Sequence, residues 1–317
     1  MTTTRWSSEP SVVALGGGHG LATSLTALRS LTADLTAVVT VADNGGSSGR
    51  LREEFGVLPP GDLRMALAAL CGDDRWGRTW AQVLQHRFAS DGEMDGHSMG
   101  NLLIVTLWEL LHDHVDGLDW VAGLLGARGR VLPMAVTPLD ITARVRGTGP
   151  DPDAVEVVRG QVEVATTPGE VLSVSLEPQD ADACPEAVAA IEQADWVVLG
   201  PGSWFTSVLP HLLVPDLRRA LCRTEAGVVV TMNLEPNTEE TRGLDHADHL
   251  RVLLDHAPEL VVHTVLADAS AAGDLRLAAA VEAAGARLVL TDLTSDTPGV
   301  HDPKKLGTAY AHLTGAN

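Results

Sequence analysis

Val12-Val13-Ala14-Leu15-Gly16-Gly17-Gly18-His19-Gly20-Leu21 sets the architecture of this chain. A four-residue apolar run, too short for a helix, stops at glycines, and leucines at helical spacing follow at once (Leu21, Leu25, Leu28, Leu31). Such a run bounded by turn residues reads as a buried strand. A second apolar, β-branched run, Leu35 to Ala42, ends at Asp43-Asn44-Gly45-Gly46. Strand, glycine loop, helix and strand, with glycines directly after both strands, predict the opening of a Rossmann-like, doubly wound α/β sheet.

Outward from this unit, residues 62–135 carry mostly helical spacing, interrupted by the polar segment Ala89 to His97. Between about 140 and 180 the texture changes to short alternating runs (Ile141 to Arg146, Val155 to Val164, Val171 to Leu176), which predict a small β-rich insertion. The α/β rhythm then returns, with a helix at Glu186 to Gln193, a strand at Trp196 to Leu199 and further strands at Gly227 to Thr231, Leu260 to Val265 and Ala286 to Leu290. Residues 1–10 read as a flexible tail, and 11–317 as one α/β domain with a mostly parallel sheet and the insertion at 140–180.

Hydrophobic residues make up 45% of the chain and aromatics 3%, so the core must be built from Ala, Val and Leu, as suits helices on a parallel sheet. The formal net charge of −20 argues against nucleic acid and anionic lipid as partners. An anionic ligand must then be held by local donors, such as backbone N–H groups at helix starts. Cys71, Cys184 and Cys222 are odd in number and far apart, which predicts reduced thiols and a cytoplasmic protein. No apolar run approaches the roughly 18 residues of a membrane span, so membrane insertion is not expected.

Five glycine-bearing segments are candidates for ligand contact. Gly16, Gly17, Gly18, His19 and Gly20 open a helix after a strand, where N–H groups can approach phosphate; the dinucleotide pattern GxGxxG is not met, and a packing turn would also explain the glycines. Asp43, Asn44, Gly45, Gly46, Ser47, Ser48 and Arg50 combine a carboxylate near the place of a ribose-binding residue, N–H and hydroxyl donors, and a guanidinium for phosphate. In Pro59-Pro60-Gly61-Asp62-Leu63-Arg64, Asp62 reads as a helix N-cap, and Arg64 one turn on faces the ligand or the core. Around His97 and Asn101, Ser98 caps a helix, or the two polar side chains contact a base or sugar. Gly200, Pro201, Gly202, Ser203, Thr206 and Ser207 follow another buried strand and form a second candidate phosphate nest. Two such loops from separate halves of a sheet predict one ligand lying across its switch point. His246 and His249, three apart on one helical face, could chelate a metal, but a polar helix start accounts for them more simply.

Across these segments the chain resembles the CofD/YvcK family, closest to its YvcK branch. The resemblance rests on Gly16 to Leu21, Val41 to Arg52, Pro59 to Arg64, Gly96 to Leu103, Gly200 to Pro210 and His301-Asp302-Pro303-Lys304-Lys305-Leu306, in family order. It implies a Rossmann-like fold, a ligand cleft built from these loops, to which Asn233 is added, and a homodimer. For the YvcK branch it implies UDP-sugar binding and a part in carbon-metabolism balance and cell-shape maintenance during gluconeogenic growth. For the CofD branch it implies a Mg²⁺-dependent transfer of phospholactate from a nucleotide-diphosphate carrier, with Asp43 at the metal. Against the family pattern His19 replaces a threonine, Asn44 replaces a second aspartate, and Asn237-Thr238-Glu239-Glu240-Thr241 replaces Gln-Pro-Gly-Glu-Thr. The leading expectation is therefore a UDP-sugar-binding regulatory protein and the alternative a phospholactate transferase. An NAD-dependent oxidoreductase is disfavoured because no general acid–base pair accompanies the glycine loop.

Overall fold

The computed structural model describes residues 9–315, so the first eight residues of the expected tail lie outside the described ones. Glu9 and Pro10 are already tied down: the Glu9 carboxylate accepts from Ala33 N–H and the Pro10 carbonyl from the Thr32 hydroxyl.

Ten strands are β1 (Val12–Gly16), β2 (Leu35–Val39), β3 (Arg130–Pro133), β4 (Asp140–Arg146), β5 (Val155–Arg159), β6 (Glu170–Glu177), β7 (Trp196–Leu199), β8 (Gly227–Thr231), β9 (Thr264–Asp268) and β10 (Arg287–Thr291). The α-helices are α1 (Gly18–Leu28), α2 (Gly46–Phe55), α3 (Gly61–Leu70), α4 (Arg75–Gln85), α5 (Met99–Leu111), α6 (His114–Leu125), α7 (Gln161–Ala165), α8 (Pro185–Gln193), α9 (Pro210–Leu213), α10 (Pro215–Arg223), α11 (His246–His256), α12 (Leu275–Ala283) and α13 (Pro303–Thr314).

Seven strands form a sheet in the order β10-β9-β8-β7-β1-β2-β3, and every pairing in it is parallel. β1 is buried along its whole length, as a strand covered on both faces must be, which is why it reads as an unbroken apolar run. Counting outward from β1, the chain runs one way through β2 and β3 and the other way from β7 to β10. The order thus reverses between β1 and β7, the place where open α/β sheets form a crevice at the carboxyl ends of their strands. The doubly wound architecture expected from the sequence is present.

Several boundaries differ from the expectation. β3 lies within the stretch to residue 135 whose spacing predicts helix, because a four-residue run is too short for its periodicity to separate strand from helix. It is an edge strand closing on Pro133, which a central position would not tolerate. β2 stops at Val39, so Asp43 stands four residues past its end. β9 begins at Thr264, four residues later than the apolar run that suggested it.

The insertion is a three-stranded antiparallel sheet, β5-β4-β6. The run Val155 to Val164, read as one strand, breaks at Gly160, and the residues beyond it turn into the short helix α7. No helix among the described residues is long and apolar enough to cross a membrane.

Candidate functional site

The first glycine loop is the start of α1. Gly17 is its N-cap and supplies no side-chain acceptor, and the first turn contains no acidic residue, so α1 does not cap its own leading N–H groups or the positive end of its dipole. Gly18 sits at φ +56°, a left-handed conformation that glycine adopts without strain. Buried Leu21 and Leu25 fix the helix behind it, while His19 is exposed at the mouth.

The loop after β7 meets this one backbone to backbone. A Cβ on Gly20 would overlap the Pro201 carbonyl oxygen and lie within 2.7 Å of Gly202 Cα. Asn233, at the end of β8, clamps the same loop: its amide oxygen accepts from Gly202 N–H at 2.9 Å and its amide N–H donates to the Gly202 carbonyl at 2.9 Å. Ser207 stands beside Gly17, and its carbonyl accepts from the Thr40 hydroxyl at 2.8 Å, which ties the segment after β2 into the same arrangement.

Beneath this loop lies a carboxylate the sequence reading did not single out. Glu240 is 4% exposed and accepts from Phe205 N–H and the Thr206 hydroxyl. Burial pushes its carboxyl up to about 7 against the pull of these donors. Thr206, expected at the ligand, is therefore turned toward Glu240, and its carbonyl accepts from Gln161 on α7.

The Gly/Ser run after Asp43 is not a loop. Gly46 to Phe55 is helical, because the serines and Leu51 pack inward, whereas composition alone signals only flexibility. The Ser47 hydroxyl accepts from Ser98 N–H and from the Asn101 amide, so its own proton points at His97 Nδ1, 3.1 Å away. That leaves His97 neutral with its proton on Nε2, in keeping with burial and the Arg50 charge, which hold its imidazole below the usual range. Asn101 in turn accepts from Arg64 Nε at 3.0 Å. His97 and Asn101 thus brace Arg64, and the Ser98 hydroxyl donates to the Leu84 carbonyl without capping α5. Ser48 packs against Gly61 at the start of α3.

Asp62 is not the N-cap of α3; Pro60 holds that position, and the carboxyl is aimed at the first nest, where Gly18 N–H reaches it. A Cβ on Gly17 would come within 2.5 Å of Asp62 Oδ2. Burial, then the Asp43 charge, push the Asp62 carboxyl up to about 7. Asp43 itself accepts from Gly45 N–H through Oδ1. Arg64 is 4% exposed, and its Nη1 has no hydrogen-bond partner among the described residues. Burial and the Arg87 charge bring it down to about 10.

Two expected ligand contacts have other partners. Arg50 is exposed, and its guanidinium donates to the carbonyls of Glu93 and Asp95, stapling the polar segment that precedes α5. The Asn44 side chain bridges α7, donating to Glu163 and accepting from Val162 N–H, so it is not directed at a cation beside Asp43. Arg50→Ala is accordingly expected to leave ligand affinity within about twofold while loosening residues 89–97, read by titration and by amide exchange; a tenfold loss would return Arg50 to the site.

The two nests open into a cleft of about 530 Å³, within the range of small-molecule sites. Gly17, Gly18, Gly202, Ser207 and Asn233 line the cleft. Glu235, Thr238, Glu239, Ala165 of α7 and His301 line it as well. The segment 234–240 was missed because it carries no glycine signature; its signal was the departure from the family pattern at 237–241. Among the described residues no group of three or more His, Cys, Asp or Glu side chains could hold a metal ion. His246 faces the Asn233 carbonyl and His249 stacks on Trp204, so the two do not converge.

The family model for 2-phospho-L-lactate transferase CofD matches residues 12–301. A Mycobacterium leprae protein, named provisionally as a gluconeogenesis factor, is 51% identical over 306 residues, 95% of this chain and 85% of the relative. A Listeria innocua protein named gluconeogenesis factor is 36% identical over 259 residues, 82% of this chain and 77% of the relative. The crystal structure of a UPF0052-family protein from Bacillus halodurans superposes with a TM-score of 0.85 at 31% identity, covering 96% of this chain and 99% of that one. The chain belongs to the CofD family, and its curated relatives carry the gluconeogenesis-factor name.

Proposed function

We propose that this CofD-family chain is a nucleotide-sugar-binding regulatory protein that acts as a gluconeogenesis factor, with a UDP-sugar as its ligand. The observation that carries the reading is the contact between Gly20 and Pro201-Gly202, which sets two N–H-rich loops side by side at the β1/β7 switch point. A diphosphate is the chemical group that fits such a pair, since the first turn of α1 carries no acidic residue of its own and neither loop presents a lysine or arginine, while Asp62 already meets Gly18 N–H and Asn233 meets Gly202 N–H. Asn233, Ser207 and Gly202 then lie along the diphosphate, while Thr238, Glu235 and Glu239 offer acceptors for sugar hydroxyls. The reading carries with it a cytoplasmic homodimer built from one domain, residues 11–317. Cys71, Cys184 and Cys222 are free, which supports a reducing compartment.

Thermal shift against nucleotides and nucleotide sugars tests it. A UDP-sugar near 100 times its dissociation constant should stabilise the protein by about 2.7 kcal/mol, and NAD and ATP should do less. A larger shift with NAD than with any UDP-sugar would overturn the reading.

One observation favours a second reading, a Mg²⁺-assisted transferase: Asp62 stands beside the first nest, and after burial it is the Asp43 charge that raises its carboxyl, so the two carboxylates are neighbours. Mg²⁺ is commonly held by one or two carboxylates plus substrate phosphates, so this pair fits it. Bound there, the ion would offset the charge of a diphosphate, and Arg64 would steady Asp62. Under the leading reading, protein given Mg²⁺ and a nucleoside-diphosphate-linked lactate shows no multiple turnover; observed turnover would move the assignment to the transferase.

A further inference from the structure

A groove of about 890 Å³ lies away from the cleft, where the carboxyl-terminal end of α1 meets α13, Asp73 and Arg128. Its lining brings together Arg29, Arg128, Lys304 and His312, against only two carboxylates, Asp73 and Asp302. In a chain of net charge −20 this is an unusual concentration of cations. Neither carboxylate neutralises it fully. Asp302 is committed to the N–H groups of Lys304 and Lys305 as the cap of α13, so that helix start is filled and any ligand must be held by side chains.

Arg29 is the group that points to a ligand. Its side chain is 10% exposed, yet its Nη1 has no hydrogen-bond partner among the described residues. Nη2 is met by Asp73, whose side chain is 80% exposed and so is a surface carboxylate resting on a buried cation. Nη1 is closed off from solvent, so a ligand in the groove would meet Arg29 where Asp73 now does, and a fork of donors favours an acceptor with several oxygens. Across the groove, Arg128 and Lys304 have no salt-bridge partner among the described residues.

We propose that the Arg29–Arg128–Lys304 groove is a second ligand site, taking a small phosphate-bearing metabolite whose oxygens displace Asp73 from Arg29. Phosphate chemistry suits it because three cations line a space too large for a single chloride. α1 then carries the diphosphate nest at its start and this site at its end, so the helix is the physical link between the two.

Calorimetric titration with inorganic pyrophosphate at low salt tests the proposal, using Gly18→Val and the triple variant Gly18→Val/Arg128→Gln/Lys304→Gln. The Gly18→Val background is used because a diphosphate also fits the main cleft, which that substitution disables. Gly18→Val should retain pyrophosphate binding, and the two added substitutions should weaken it at least tenfold. Both added substitutions lie at exposed side chains, so the triple variant should melt within a few degrees of Gly18→Val. Pyrophosphate binding absent in Gly18→Val, or unchanged in the triple variant, overturns the second site. Because no nucleotide sugar is used, the result does not depend on which sugar the main cleft takes.

Discussion

Gly20→Ala is expected to cost the protein both its nucleotide-sugar affinity and several degrees of thermal stability. The new methyl would overlap the Pro201 carbonyl and crowd Gly202 Cα, both backbone atoms that no rotamer change can clear. Either α1 or the 200–207 loop must move, and overpacking of that kind costs about 1–3 kcal/mol. For a chain of this size each kcal/mol lowers the melting temperature by roughly 2–4 °C. Separating the loops also breaks the geometry a diphosphate would span, so affinity should fall at least tenfold.

Gly18→Val supplies the contrast. A Cβ there meets nothing closer than Asp62 Oδ1 at 4.0 Å, so sterically it is tolerated, although φ +56° makes a side chain strained by about 1–2 kcal/mol. It should remain folded and lose the ligand, because the added methyls stand where phosphate approaches the N–H groups. Melting curves and UDP-sugar titrations of the two variants separate the cases. Wild-type affinity in Gly20→Ala would mean the two loops do not share a ligand.

The sheet and its switch point were legible because strands buried on both faces are apolar without interruption and end abruptly at glycine: Val12 to Leu15 and Trp196 to Leu199 announce themselves. Glycine loops after strands were legible for the same reason. What composition could not reveal was direction. Asp43 through Arg50 reads as a flexible phosphate loop, yet the burial of Ser47, Ser48 and Leu51 makes it a helix, and only that helix turns Arg50 outward. Asp62 follows Pro-Pro-Gly as an N-cap would, but starting α3 two residues earlier swings the carboxyl onto the first nest. The Val155 to Val164 run hides a change of element, since β5 and α7 are both valine-rich; what the insertion contributes to the cleft, Gln161 against Thr206 and Ala165 at its edge, is a tertiary fact with no local signal.

Asp62→Asn is the variant expected to say which ion the first nest is built around. In the folded chain burial and Asp43 raise the Asp62 carboxyl from 3.8 to about 7. A folded pKa above the unfolded one means the native state keeps a proton that the unfolded chain releases. Stability is therefore greatest below pH 4, declines as pH rises toward 7, and is flat beyond; Glu240, raised from 4.5 to about 7, adds a decline of the same sign. The full Asp62 shift corresponds to about 4 kcal/mol, and because the residue is only half-buried the gain from removing its charge is expected at about 1–3 kcal/mol. Asp62→Asn keeps the shape and an acceptor for Gly18 N–H, so it should melt higher than the wild type at pH 8, with the two converging near pH 4. Affinity then separates the two readings of the site. If the nest takes phosphate directly, removing a carboxylate that is mostly ionised at pH 8 should tighten UDP-sugar binding about threefold or more in the presence of EDTA, and flatten its decline between pH 6 and 8. If Asp43 and Asp62 together hold Mg²⁺, the same substitution should instead weaken nucleotide binding when Mg²⁺ is present and leave the metal-free affinity nearly unchanged. Titrations of wild type and Asp62→Asn with and without Mg²⁺, at both ends of that pH range, distinguish a nest that excludes the carboxylate's charge from one that recruits it.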